Sequence, residues 1–133
     1  MSDDHAWQAI SAYGSDRNVT PNIDRIADEG IVFDRYYVEN SICAPSRAAI
    51  LTGVFSQHHG VPTNREIFDG TQSTFPGIAQ EAGYQTALVG KWHLKSEPVG
   101  FDHYERLVGQ GNYYRPRMIR NGTEIVHEGY TTD

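Results

Sequence analysis

The sequence has one cysteine in 133 residues, only 11 lysines and arginines against 17 acidic residues, and no apolar run of membrane-spanning length. A lone cysteine cannot staple a fold, so its placement has to be explained by packing or by chemistry. A formal net charge of −6 argues against a general nucleic-acid binder, which would carry a basic face. The absence of a long apolar run argues against a membrane span, and no signal-peptide pattern is present. There is no repeat and no low-complexity tract. What remains is 38% hydrophobic and 21% charged, a composition for one modest globular domain and too short for two.

The cysteine stands in the run Cys43-Ala44-Pro45-Ser46-Arg47. Pro45 suits the first turn of a helix, Ser46 to Leu51 are mostly helix formers, and Gly53 is a stop signal. Cys43 is therefore expected at a helix N-terminus, where free N–H groups and the macrodipole favour an anion. Arg47, one turn in, adds a fixed cation. From the residues alone Cys43 reads as a small buried hydrophobe, which composition favours, or as a thiolate nucleophile.

Elsewhere Thr20 and Pro21 open a helix that Gly30 closes, with Ile23, Ile26 and Ala27 on one face. Ile31 to Phe33 and Tyr36 to Val38 read as a strand, and residues 54–73 as irregular loop. A helix is predicted from Ser73 or Thr74 to Gly83, then a strand over Gln85–Val89, and another over Glu124–Val126. Helix–glycine–strand alternation points to an α/β fold, whose sites gather beyond the carboxyl ends of strands. Lys91 and His93 fall there. One residue apart in an extended segment, they would face one side, able to bind an anionic oxygen and move a proton. Asp3 and Asp4 are adjacent carboxylates; a hard divalent cation would relieve their repulsion, although solvated acids near a chain start are the commoner case. His58, His59, Asn64 and His103 take the default reading of surface or loop residues.

Three blocks in this order, Asp3-Asp4, Cys43-Ala44-Pro45-Ser46-Arg47 and Gly90-Lys91-Trp92-His93-Leu94, resemble the sulfatase family, as do Thr20-Pro21-Asn22-Ile23-Asp24 and Leu51-Thr52-Gly53. The resemblance covers essentially the whole chain. It implies an α/β fold of alkaline-phosphatase-like type, a mixed sheet flanked by helices and incomplete in this chain. Residues 1–133 would be the N-terminal portion of a catalytic domain, cut at both ends and inactive alone. It further implies that Cys43 is oxidised to formylglycine by a formylglycine-generating or anaerobic sulfatase-maturing enzyme. Asp3, Asp4 and the modified Cys43 would bind Ca2+, Arg47 would hold the formylglycine hydroxyls, Lys91 would contact the sulfate, and His93 would take a proton from the geminal hydroxyl. The expected substrate is a sulfated carbohydrate, and the expected location periplasmic or secreted in bacteria.

Phe68-Asp69-Gly70, Lys95-Ser96-Glu97-Pro98, Gly100-Phe101-Asp102-His103 and Gly111-Asn112-Tyr113-Tyr114 look like bacterial sulfatases acting on N-acetylglucosamine-6-sulfate. Two alternatives stand beside this: a phosphonate or phosphate monoester hydrolase of the same superfamily, and an inactive sulfatase-like glycan-binding protein. Asn18-Val19-Thr20 and Asn121-Gly122-Thr123 match glycosylation sequons, without meaning in a bacterial setting.

Overall fold

The computed structural model describes every residue except Asp4 and Asp133. It divides into two compact units, Met1–Tyr37 and Val38–Asp133.

In the first unit, two short 3₁₀ turns at Trp7–Ala9 and Ser11–Tyr13 precede helix α1, Pro21–Glu29. Thr20 and Pro21 begin the helix and Gly30 ends it, as expected, but the Thr20 hydroxyl does not cap it. That hydroxyl instead donates to Asp24 Oδ1 at 2.9 Å, and Ser11 Oγ donates to Asp24 Oδ2 at 2.5 Å. Asp24 thus ties α1 to the turn before it, and the Ser11 hydroxyl holds its carboxyl below the usual range. Residues 31–38 form no strand. They carry strand-forming side chains, yet no neighbouring strand among the described residues supplies a ladder, and Ile31 and Phe33 are exposed. Propensity for β structure is a fit to a pleated, half-buried surface, so it fails where that surface is missing.

The second unit begins with helix α2, Cys43–Thr52, followed by a helical turn α3, Ser56–His59, within the span expected to be loop. Helix α4, Phe75–Glu81, has Thr74 as N-cap, its hydroxyl accepting from the Gly77 N–H at 3.4 Å. Strands β1 (Ala87–Gly90), β2 (His103–Leu107), β3 (Arg117–Arg120) and β4 (Thr123–Val126) form one mixed sheet in that order. The pair β1–β2 is parallel and the other two are antiparallel. The mixed sheet is as expected; β2 and β3 were not foreseen. Both are heavily charged, and Glu105 on β2 is nevertheless buried because Arg120 Nε donates to it at 2.6 Å and His127 Nε2 contacts its other oxygen. Those partners satisfy a carboxylate that would otherwise be costly to bury.

The turn between β3 and β4 is Asn121-Gly122, with φ of 45° and 85°. Positive φ at both positions is the signature of a two-residue type I′ hairpin, so the second sequon match is a turn signal.

The core joins α2 to the segment after β1. Ala44, Ala48 and Leu51 fall on one face of α2, four and three residues apart, and bury against Val61, Phe68, Trp92 and Leu94. Trp92 meets Phe68 and Phe101 edge-on, with ring centroids 6.3 and 6.2 Å apart. Its indole N–H donates to the Ser96 carbonyl at 2.7 Å. The segment 91–102 is the crossover between the two parallel strands, in which Trp92 and Leu94 are buried and Lys91 and His93 half-buried. Its return is tight at Gly100, where an added Cβ would come within 2.7 Å of the Gly77 backbone nitrogen at a φ of +79°. Only glycine fits there.

Candidate active site

The site grows from the start of α2. Cys43 is the first helical residue, half-buried, and its neighbours Ala44 and Pro45 are pinned in the core. Lys91, the first residue after β1, points its ammonium at the thiol, with Nζ donating to Sγ across 3.4 Å. Arg47, one turn into α2, donates from its guanidinium to the Lys91 backbone carbonyl. Two sequence blocks 44 residues apart are therefore locked by one side chain, which fixes where the lysine emerges. The pairing of Cys43, Arg47 and Lys91 is the strongest convergence among the sequence-selected residues.

His93 lies beside this cluster in chain order, but not as the residue of an extended segment. Its φ is 57°, in the left-handed region. Non-glycine residues held there cost roughly 1–3 kcal/mol and persist where packing on both sides dictates it; here Trp92 and Leu94 supply that packing. The His93 ring meets the Gln110 amide, Nε2 to Nε2 at 3.3 Å, and borders a cavity of about 260 Å³ lined also by Ser96, Arg106 and Leu107. Of the acid pair, Asp3 is an exposed residue of the first unit and Asp4 lies outside the described residues. Among the described residues no three His, Cys, Asp or Glu side chains cluster as a metal site.

The expectation of a helix end rich in free donors is corrected. The Ile42 N–H donates to the Asn40 carbonyl at 2.8 Å, the Ser46 N–H to the Ile42 carbonyl at 3.1 Å, and Pro45 has none. The Ala44 N–H is taken by Asn64 Oδ1 at 2.8 Å. Among the described residues, Cys43's own N–H is the one donor of the first turn left uncommitted, and the Lys91 ammonium is the donor that meets its side chain. Asn64 was read as a loop residue. Its role was hidden because it caps a helix that starts about twenty residues earlier in the chain.

His59, also read as surface, is 1% exposed. The Val61 N–H donates to Nδ1 at 3.2 Å, so the ring proton is on Nε2, which faces Glu39 Oε2 at 3.9 Å. Burial pushes the imidazole below its ordinary value, with Glu39 pulling the other way. Because the folded form holds His59 neutral, the unfolded chain takes up its proton first as pH falls. Stability is then complete above about pH 6.5 and declines below it, down through the lowered folded value. Urea midpoints are expected to fall between about pH 6.5 and 5.5, above the ordinary carboxylate range. His59→Asn, which keeps an acceptor for Val61, should flatten that slope; an unchanged slope would remove His59 as its source.

The Sulfatase family model matches residues 1–130. Over its whole length the chain is 54% identical to an N-acetylglucosamine-6-O-sulfatase of Bacteroides thetaiotaomicron, covering 24% of that protein. It is 36% identical to human N-acetylgalactosamine-6-sulfatase across 78% of its length, again covering 24% of the relative. The solved structure of BT4656 in complex with its substrate D-glucosamine-2-N,6-O-disulfate superimposes with a TM-score of 0.94 at 54% identity, over 98% of this chain and 27% of that one. The chain thus spans about a quarter of the length of the relatives it matches. Family match, identity and fold agree with the geometry around Cys43, and the chain belongs to the sulfatase family.

Proposed function

We propose that this chain is the N-terminal, nucleophile-bearing portion of a longer sulfuric ester hydrolase that removes the 6-O-sulfate of an N-acetylglucosamine-type sugar. The observation that carries the reading is the lysine ammonium 3.4 Å from Cys43 Sγ, braced by Arg47, in a chain so similar to a 6-O-sulfatase. The relatives' substrates, a sulfated amino sugar in the BT4656 complex among them, support the sugar class.

The residues around Cys43 fit a formylglycine. An oxygen in the place of Sγ would accept the same Lys91 hydrogen bond, and the half-buried position admits a substrate. Formylglycine supplies, when installed, a hydroxyl nucleophile on the side-chain carbon. Lys91 then places a full positive charge where the sulfate oxygens must sit, and Arg47 holds the Lys91 main chain so that this charge does not drift. Charge placed before the reaction begins is worth more than charge recruited during it. His93, held in one backbone conformation, would serve as the proton acceptor of the site. Asp3 and Asp4 would hold a calcium ion as two of its roughly six to eight oxygen ligands. Calcium, when bound, would supply positive charge toward an anionic ester. A maturation enzyme that oxidises Cys43, and a periplasmic or secreted location, complete the proposal.

The test is side-by-side turnover of an aryl sulfate and an aryl phosphonate by the full-length protein, with mass spectrometry of the Cys43 peptide. Sulfate turnover with an aldehyde in place of the thiol is the expected result. Faster phosphonate turnover, or undiminished sulfate turnover by protein that retains the thiol, would overturn it.

A further inference from the structure

The segment Val61–Glu66 is tied to the site from several sides. Its start is anchored by Val61, fully buried with its N–H on His59. The Asn40 side chain donates to the Pro62 carbonyl at 3.0 Å, just upstream of α2 in the chain. Thr63 donates to Glu66 Oε2 from both its N–H and its hydroxyl, at 2.8 and 2.7 Å, which closes the segment into a turn. From that turn Asn64 Oδ1 takes the Ala44 N–H at 2.8 Å, one residue from Cys43. The next residue, Arg65, accepts from Lys95 Nζ at 2.7 Å, two residues from His93. Two consecutive residues thus hold the helix carrying the nucleophile and the segment carrying Lys91 and His93.

The Ile42 side chain at the N-cap position makes no cap to α2, so a local cap does not exist. The buried Ala44 N–H needs an acceptor, since such groups are almost always paired. Asn64 supplies it from a distant loop, and a cap from a distant loop fixes position as well as stability.

We propose that Asn64 is a positioning residue for the nucleophile: its carbonyl registers the first turn of α2 against the Lys91–Lys95 segment and so sets how Cys43 meets Lys91. This rests on the sulfatase reading above and extends it to a residue outside the matched motifs. It acts through the backbone of Ala44 and does not need to touch substrate.

The test is made in the full-length enzyme with Asn64→Ala and Asn64→Asp, reading hydrogen exchange of the peptide covering Cys43–Arg47 alongside steady-state kinetics on an aryl sulfate. Asn64→Ala is expected to raise exchange in that peptide about tenfold and to lower kcat about ten- to a hundredfold with KM within about twofold, the loss typical of a misplacement near 1 Å. Asn64→Asp keeps an acceptor at Oδ1 and should keep the protection. If Asn64→Ala does not accumulate as folded protein, Asn64→Ser, whose acceptor is too short to reach, supplies the same comparison. Unchanged exchange overturns the clamp, and raised exchange with unchanged kcat overturns the positioning role. Should the wild type fail to turn over sulfate esters, the sulfatase reading fails, and the exchange arm still decides the clamp.

Discussion

Cys43→Ala in the full-length enzyme is expected to reduce sulfate-ester turnover by about four to six orders of magnitude, the scale of losing a covalent nucleophile. The side chain sits where nothing else can substitute for it. Ala44 and Pro45 behind it are buried, so the first turn of α2 cannot rotate another residue into its place. The neighbouring hydroxyl, Ser46, is three residues on and its N–H is committed to the helix. Stability should change little, because Cys43 is only half-buried and outside the Ala44–Leu94 cluster. Steady-state kinetics with a matched thermal melt make the check. Activity retained within about tenfold would remove Cys43 from the chemistry and leave a structural role, since loss of even a single general acid or base typically costs about 10²- to 10⁴-fold.

Lys91→Ala should lower kcat/KM about 10²- to 10³-fold, the usual loss when one preorganised charge is deleted from a site. Lys91→Arg should rescue poorly, because a planar guanidinium cannot reproduce a compact ammonium aimed at one atom. Arg47→Ala should cost a comparable factor by a different route, since Arg47 braces the Lys91 carbonyl. If that brace is the main role of Arg47, the double variant will lose much less than the product of the single losses. Fully multiplicative losses would mean that Arg47 acts on the substrate independently. The aldehyde content at Cys43 has to be measured in each variant, so that failed maturation is not mistaken for failed catalysis.

Both effects concern residues that stand out in the sequence because each falls within a compact motif. The frame around them was legible for a related reason. Pro21, Thr74 and the glycines after α1 and α2 mark helix ends through local backbone preferences that need no tertiary contact. Glu105 is the opposite case. A glutamate between Tyr104 and Arg106 reads as solvent-facing, and only Arg120 and His127, distant in sequence, make its burial affordable. Asn64 was hidden for the same reason, its partner being a single N–H on a remote helix. The strand expected at 31–38 failed in the other direction, with the right side chains and no ladder to join. His59 looked like surface because histidine usually is, and a backbone N–H from Val61 reverses that.

The hairpin at Asn121-Gly122 bears on the order in which the site comes into being. Its two strands are adjacent in the chain, so β3 and β4 can pair locally, on a timescale of about 1–10 μs. The parallel pair β1–β2 must first close the 91–102 crossover, a slower search that yields contacts only once the loop is shut. Lys91 is the residue that emerges from β1 into that crossover. The contact between Lys91 and Cys43 itself spans 48 residues of chain, so it belongs with the non-local pairings and not with the local hairpin.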